Sequence, residues 1–374
     1  MKKPKTRKII LSIGLFGVAL VIAAGLFIKY DTPAAAEFTD NVLRPILGPG
    51  VVIPLEAFYY NFSDKMEQTL YNPKSDSGVT FVDVGNTANI STHGSELNLA
   101  SIPVTHPYPA EPDEGKWQLR PLAAFPGVAK AAYTYVRPDP NRPYAYVTIF
   151  QMDMRGVAMG SVAGTQQPGG PVGMKGPGVV PAEIISSGRL IAAFDGGFQY
   201  RDGQYGMIVG DTVYLPLKND LATAVGYSDG TLKILNYSGQ AFSGKVDFVR
   251  QNCPMLVLDG RVATSNPQDK KLWGRTLTAD IYTWRSGIGL TKSGNLLFAV
   301  GNNLTPETLA TALQMAGAEN AMQLDINPYW VRFNIFDTLG NGQYKTSTLV
   351  KNIHDGSYQY LHGYTKDFFY LYKK

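Results

Sequence analysis

Cysteine is nearly absent from this sequence, because Cys253 is the only one among 374 residues. A single thiol excludes an internal disulfide, and no paired-cysteine motif is present to bind zinc. The chain also lacks a Walker-type phosphate loop and the nucleophile-elbow motif of serine hydrolases. The sequence therefore offers no support for nucleotide hydrolysis, for a zinc site or for a serine triad.

Charged residues are scarce as well, at 17% of the chain against 44% hydrophobic residues. That balance is typical of a folded globular protein. The formal net charge is +4, but five positive charges lie together within residues 1–8. The rest of the chain therefore carries no basic field, and we expect no nucleic acid among its partners.

Glycine and proline, in contrast, are plentiful, with 39 and 24 residues, and they favour short strands joined by turns. Several apolar pairs flank Gly-Asp or Asp-Gly turns, as in "MIVGDTVYL" and "MLVLDGRVA", which predicts β-hairpins. One helix is indicated by Thr305 and Pro306 at its start and Gly317 at its end. These patterns predict an α+β fold, mainly antiparallel or mixed β-sheet with a few helices.

One long apolar run precedes this domain. Residues 9–28 contain no charge and have about the length that a membrane-spanning helix requires. We predict a signal anchor here, with the basic segment 1–8 in the cytoplasm. The protein would then cross a cell membrane once and hold its main domain outside the cytoplasm. The alanines at 34–36 leave a cleaved signal peptide as the alternative, which also exports the main domain.

Three further segments follow the apolar run. Residues 31–71 are predicted to be a juxtamembrane helical stalk, because apolar residues recur there at helical spacing. These residues are Leu55, Phe58 or Tyr59, Phe62 and Met66. We expect the helix to pack on its own domain, with membrane contact or self-association as alternatives. The polar, proline-rich residues 72–115 indicate a linker or extended wrap, and residues 116–374 form the main domain.

Polar residues stand where predicted strands end. In "RLIAAFDGGFQY" the apolar run stops at Asp195, and the two glycines after it either form a plain hairpin turn or let a ligand approach the backbone. In "AMQLDINPYW" the strand after the predicted helix stops at Asp325. In "TWRSGIG", Arg285 either binds a phosphate or carboxylate or lies solvated at a sheet edge. Ligand groups collect at strand ends, so these segments are candidates for a site.

Taken in order, these segments resemble the phosphodiester glycosidase domain, a family of exported proteins. The resemblance rests on "FDGGF" at 194–198, "RSGIG" at 285–289 and "LD" at 324–325, and it spans about residues 188–330. It implies a hydrolase that cleaves the bond between the anomeric carbon of a sugar and a phosphodiester. It further implies the catalytic residues Asp195, Arg285 and Asp325, with Gly196 and Gly197 as backbone donors to the substrate and Ser286 within the matched motif. We add Asn327, Tyr329 and Trp330 as candidate substrate-binding residues, because they follow Asp325 directly.

Within that resemblance, Arg285 would contact the phosphate, the glycines would offer backbone N–H groups, and Asp325 would be the strand-end acid. Two positions depart from the family pattern. Asp195 stands where asparagine is usual, and residues 326–329 replace a glycine run with Ile-Asn-Pro-Tyr. Pro328 has no N–H to donate, and Asp195 adds negative charge where an anionic substrate should bind.

These departures keep other functions open. Asp195, Asp325 and Asn327 could bind a hard cation such as Ca²⁺ through their oxygens. The two acids could instead serve as acid and base on a neutral glycan, with Tyr329 and Trp330 stacking on a sugar ring. The remaining alternative is a catalytically degenerate relative that binds surface polysaccharide or envelope partners without turnover.

Overall fold

The computed structural model describes residues 35, 38–72, 90–171, 173–264, 273, 282–351 and 353–374. The predicted cytoplasmic segment 1–8 and the predicted transmembrane helix 9–28 lie outside these residues. Within the described ranges, no helix is both long and apolar enough to cross a membrane.

The chain divides behind Val52 into two compact units, the second running from Ile53 to Lys374. The described part of the first contains a π-helical turn, Thr39–Leu43, and helix α1, Arg44–Leu47. Helix α2, Pro49–Leu70, lies within the predicted stalk segment 31–71. The other described helices are α3 Ala182–Ser186, α4 Tyr200–Gly203, α5 Pro306–Met315 and α6 Ser357–His362.

The described residues of the second unit form eighteen strands. In chain order they are β1 Gln118–Arg120, β2 Ala131–Val136, β3 Val147–Met152, β4 Val157–Val162, β5 Leu190–Asp195, β6 Met207–Val209, β7 Thr212–Leu215, β8 Leu221–Tyr227, β9 Leu232–Tyr237, β10 Val246–Asn252, β11 Met255–Leu258, β12 Arg261–Val262, β13 Thr283–Thr291, β14 Leu296–Leu304, β15 Ala318–Ile326, β16 Phe333–Gly340, β17 Gln343–Thr348 and β18 Phe368–Lys373.

These strands make three sheets. The largest has eight strands in the order β1-β2-β3-β14-β13-β15-β11-β12, and the two five-stranded sheets run β7-β6-β10-β8-β9 and β17-β16-β5-β18-β4. Each pairing between neighbouring strands is antiparallel. The predicted α+β fold with mainly antiparallel sheet is therefore confirmed for the described residues.

Aromatic side chains join the eight-stranded sheet to the sheet that contains β5. Phe194 of β5 lies 5.4 Å from Phe298 of β14 and 5.4 Å from Phe333 of β16, measured between ring centroids. All three side chains are fully buried. Tilted and offset rings at this spacing add attraction beyond the burial of apolar area. The packing brings the carboxyl end of β5 close to the end of β15, and the candidate site lies there.

Helix α5 begins where its capping residues predicted. The Thr305 hydroxyl accepts from the Thr308 amide at 3.2 Å, and the Thr308 hydroxyl accepts from the Thr305 amide at 2.9 Å. This reciprocal pair satisfies two donors that the first turn of a helix leaves without partners. The helix ends before Gly317, whose φ of +88° suits glycine, and the chain then enters β15. Asp325 is thus placed as the penultimate residue of that strand.

Candidate active site

Asp195 is the last residue of β5 and is only 2% exposed. The Tyr360 hydroxyl of α6 donates to its Oδ1 at 2.6 Å, and the Tyr364 hydroxyl donates to its Oδ2 at 2.9 Å. Burial raises the pKa of this carboxyl, although nearby Arg332 and Lys366 and both tyrosine hydroxyls act to lower it. Asp195 is therefore a carboxyl that favours its protonated form more than an exposed aspartate does.

Asp325 reaches the same place from the eight-stranded sheet. Its Oδ1 accepts from the Ile326 amide at 2.8 Å, and its own amide donates to the Ser286 hydroxyl at 3.2 Å. Its Oδ2 forms an ion pair with the Lys366 ammonium. Ser286 thus positions the backbone of the strand that carries Asp325.

Lys366 joins the two carboxylates. Its Nζ lies 3.9 Å from Asp195 Oδ2 while it pairs with Asp325, and its side chain is 1% exposed. Burial lowers the pKa of Lys366, whereas the charge of Asp195 raises it. The position follows from topology: β18 runs antiparallel to β5, with Phe368 opposite Asp195, so Lys366 must lie beside the end of β5.

Arg332 is a second buried cation next to Asp195. Its Nε donates to the Tyr329 carbonyl at 2.8 Å and its Nη1 donates to Gln359. Its guanidinium lies 4.3 Å from the ring centroid of Tyr329 and 4.8 Å from that of Tyr364. Burial alone would lower the pKa of Arg332, but neighbouring tyrosines and Asp195 raise it. Its Nη2 is buried and has no hydrogen-bond partner within the described part of the chain.

The two glycines after Asp195 are required by a buried ion pair. Arg250 holds Asp367 through Nε–Oδ2 at 2.7 Å and Nη2–Oδ1 at 3.1 Å. A Cβ on Gly196 would lie 2.2 Å from Asp367 Oδ2, and one on Gly197 would lie 3.0 Å from Arg250 Nη2. The Gly196 amide, expected to face substrate, donates instead to the Asp367 carbonyl at 3.0 Å. The glycine pair therefore lets Arg250 and Asp367 pack under the site.

Arg285 lies in a different environment from the one expected of a phosphate ligand. It is fully buried, its Nε donates to the Leu304 carbonyl at 2.8 Å, and its Nη1 donates to Gln323 at 3.2 Å. Burial lowers the pKa of Arg285 to about 10. These bonds hold β13 to the end of β14 and to β15, while the cations beside Asp195 are Lys366 and Arg332.

Asn327 uses its side chain on its own turn. With φ at +69°, its Oδ1 accepts from the amides of Tyr329 at 3.1 Å and Trp330 at 3.2 Å. Trp330 is 7% exposed, and its ring centroid lies 4.9 Å from Lys366 Nζ. Tyr329 packs edge-on against Trp330 at 4.5 Å. The two rings therefore surround the buried cations in this state, and Asn327 shapes the turn that places them.

The three residues considered as alternative Ca²⁺ ligands do not form a cation site in this arrangement. Asp195 and Asp325 flank the ammonium of Lys366, so a metal ion between them would lie beside another positive charge. The Asn327 oxygen is engaged by backbone amides. Among the residues that the structure describes, no group of three or more His, Cys, Asp or Glu is arranged to hold a metal ion. The donor set does not fit Ca²⁺ while Lys366 is charged.

Four residues of the site were missed in the sequence: Arg332, Tyr360, Tyr364 and Lys366. Three of them lie in the aromatic C-terminal tail, whose composition indicates residues that pack in the core. One available signal was the pair Lys366-Asp367 inside the aromatic stretch "YTKDFFYLY", since charged residues are rarely buried unless they are paired. Their partners Asp195, Asp325 and Arg250 lie more than forty residues away in sequence, so only the fold identifies them.

Comparison with known proteins gives one family match. Residues 188–325 match the family model described as phosphodiester glycosidase. That segment includes Asp195, Arg285 and Asp325, whereas Arg332 and Lys366 lie beyond it. No curated protein matches the sequence.

Solved structures with a similar arrangement include an enzyme domain from zebrafish and a protein from Synechocystis. The catalytic domain of zebrafish N-acetylglucosamine-1-phosphodiester alpha-N-acetylglucosaminidase, auto-inhibited by its pro-peptide, aligns at 14% identity and a TM-score of 0.41. That alignment covers 69% of this chain and 88% of the zebrafish chain. The hypothetical protein from Synechocystis aligns at 12% identity and a TM-score of 0.34, over 66% of this chain and 62% of the other.

Proposed function

Since residues 188–325 are a divergent segment of the phosphodiester glycosidase family, we propose that the protein hydrolyses the bond between a sugar's anomeric carbon and a phosphodiester. The observation that carries this proposal is the pair of buried carboxyls, Asp195 and Asp325, brought from two sheets to one lysine. Most glycosidases use a pair of catalytic carboxyls that lie in different environments.

The environments assign different roles to the two acids. Burial raises the pKa of Asp195, so this carboxyl can hold a proton and donate it to the leaving phosphate oxygen. Asp325 is paired with an ammonium and is the carboxylate that accepts a proton from the attacking water. The bond from C1 to the phosphate oxygen breaks, the water oxygen bonds to C1, and the products are the free sugar and a phosphomonoester.

Two cations are available for the anionic part of such a substrate. Arg332 has a buried Nη2 without a hydrogen-bond partner in the described chain, and Lys366 lies beside the two acids. A guanidinium is suited to phosphate because it offers several donors in one plane. We therefore assign the phosphate contact to Arg332 rather than to Arg285, whose donors bond to Leu304 and Gln323.

One observation favours the alternative of a degenerate relative that binds glycan or envelope partners. Asp195 and Asp325 are 2% and 4% exposed, so a substrate reaches them only if neighbouring residues move. A protein that only binds a glycan or an envelope partner has no need of access to these two acids. Assays of turnover and of glycan binding distinguish the two functions.

The location also belongs to the proposal. The uncharged run 9–28 after a basic segment supports a single-pass anchor with an extracytoplasmic domain, and a surface glycan or sugar phosphodiester as substrate. A protease added to intact cells should remove the domain. If the domain resists until the cells are permeabilised, the proposed location is wrong.

The activity is tested with the full chain in detergent and a panel of sugar-1-phosphodiesters. Phosphorus NMR would detect the phosphomonoester, and chromatography would detect the free sugar. Asp325→Asn should lower turnover at least a hundredfold, whereas the exposed Asp259→Asn should leave it unchanged. Glycan binding without hydrolysis of any substrate by the wild type would favour the degenerate relative. Turnover that survives in Asp325→Asn would refute its catalytic role.

A further inference from the structure

Helix α2 carries a row of exposed apolar side chains, which we call the α2 stripe. Its members are Leu55 at 59% exposure, Phe58 at 72%, Phe62 at 55%, Met66 at 41% and Leu70 at 66%. Their spacing of three or four residues places them on one side of the helix. Phe58 and Phe62 stack on each other, with ring centroids 6.3 Å apart. Such a continuous apolar row is unusual on a surface that contacts only water.

The opposite face of α2 is tied to the domain by polar contacts. Arg142 holds Asp64 through two bonds of 2.9 Å, and the Tyr144 hydroxyl donates to the same carboxylate at 2.9 Å. Asn303 donates to Glu67 one turn further along. These contacts fix the rotation of the helix about its axis, so the α2 stripe faces away from the domain. A rigidly held apolar face loses little conformational entropy on binding.

The charge of α2 favours a protein partner over a lipid surface. Its sequence contains three acidic residues, Glu56, Asp64 and Glu67, and one basic residue, Lys65. Helices that lie on membranes are rich in lysine and arginine on their polar side, because membrane surfaces are often anionic. Helix α2 has only one basic residue, Lys65, and therefore lacks that basic side.

The order of residues in the stripe points to a second copy of this chain. Phe62 is the central member, Phe58 and Met66 lie four residues to either side, and Leu55 and Leu70 close the two ends. The stripe therefore has nearly the same spacing when read in either direction. A two-fold axis through Phe62 would place Phe58 opposite the partner's Met66 and Leu55 opposite the partner's Leu70. We propose that two copies of the protein pair through the α2 stripe with their helices antiparallel.

The size of the stripe is sufficient for such a contact. With the stated exposures, five large apolar side chains offer roughly 500 Å² on each copy. Two copies would together bury about 1,000 Å², near the lower limit of specific interfaces. We therefore expect a dimer that dissociates measurably on dilution rather than an obligate one.

Cysteine cross-linking of the full chain in detergent tests the arrangement. The native Cys253 is buried and does not compete. Phe62→Cys should form a disulfide-linked dimer on mild oxidation, because residue 62 would meet its own copy at the axis. Leu55→Cys and Leu70→Cys should each cross-link poorly alone but several-fold better when the two variants are mixed. Asn61→Cys, exposed on the same helix but outside the stripe, is the matched control.

A non-covalent measurement keeps the proposal independent of cysteine chemistry. By sedimentation, Phe62→Asp should raise the dissociation constant of the dimer at least tenfold, while Asn61→Asp should leave it unchanged. Both variants should keep the thermal stability of the wild type within a few degrees, because the stripe makes few contacts with the domain. Self-cross-linking of Leu55→Cys as strong as that of Phe62→Cys would show parallel helices and overturn the arrangement. A monomer at all concentrations would overturn the pairing itself.

Discussion

Replacement of Lys366 by methionine should destabilise the protein in a strongly pH-dependent way. The change removes an ammonium that lies against Asp325 and 3.9 Å from Asp195 while leaving a side chain of similar length. Both carboxyls stay buried, and loss of one partner of a buried ion pair costs about 3–5 kcal/mol. For a unit that runs from Ile53 to Lys374, that corresponds to a melting temperature about 4–7 °C lower near neutral pH.

The stability loss of Lys366→Met changes with pH because the folded and unfolded chains bind protons with different affinity. Burial already raises the pKa of Asp195, and without the ammonium this carboxyl holds its proton still more firmly in the folded chain than in the unfolded chain. The folded state of the variant is then favoured below the pKa of an unfolded aspartate, and that advantage is lost as pH rises through the raised folded pKa of Asp195. The deficit of Lys366→Met should therefore be small near about pH 4 and largest near about pH 8.

Thermal unfolding of the full chain across this pH range is the assay. The exposed Lys292→Met serves as the matched control, and it should follow the wild type at each pH. A deficit for Lys366→Met that is equal at all pH values would mean that packing, not charge, is the role of the lysine. A variant as stable as the wild type near pH 8 would refute the buried ion pair.

Three other predictions concern the site and its support. The activity of the wild type should fall as pH rises through the raised pKa of Asp195, and Asp195→Asn should remove that limb of the pH–rate profile with at least a hundredfold loss. Arg332→Lys should raise KM for a phosphodiester about tenfold or more with a smaller change in kcat, and an equal KM would contradict its phosphate contact. Gly196→Ala should cost about 1–3 kcal/mol in chemical denaturation because its Cβ would lie 2.2 Å from Asp367 Oδ2, whereas Gly50→Ala, with open space around it, should cost nothing.

Several secondary-structure elements could be predicted from local sequence patterns. The capping residues at Thr305 and Pro306 act through bonds within one turn, so they predicted the start of α5 directly. Hairpin turns such as the one before β12 depend on adjacent residues that tolerate positive φ, as Asp259 and Gly260 do. Asp195 and Asp325 were predicted at strand ends, and they lie there, because an apolar run that stops at an acid indicates the end of a strand.

The roles predicted for other site residues failed to include contacts with residues that are distant in the sequence. Arg285 read as a ligand for phosphate, but its donors bond to Leu304 and Gln323 inside the protein. The glycines after Asp195 read as a backbone cradle for substrate, yet they make room for the pair of Arg250 and Asp367. A sequence motif gives the type of each residue. The contacts that decide the role of that residue come from distant parts of the chain.

The sequence by itself determined where helix α5 begins and ends, where several hairpins turn, and that acids stand at the ends of two strands. These properties follow from hydrogen bonds and steric limits within a few residues. Only the tertiary structure decided that Lys366 lies between Asp195 and Asp325 and that Arg332 lies beside Asp195. Antiparallel pairing of β5 with β18 joins residues that are far apart in the chain. The electrostatics of the site therefore depends on the fold, because charge acts through space and not along the sequence.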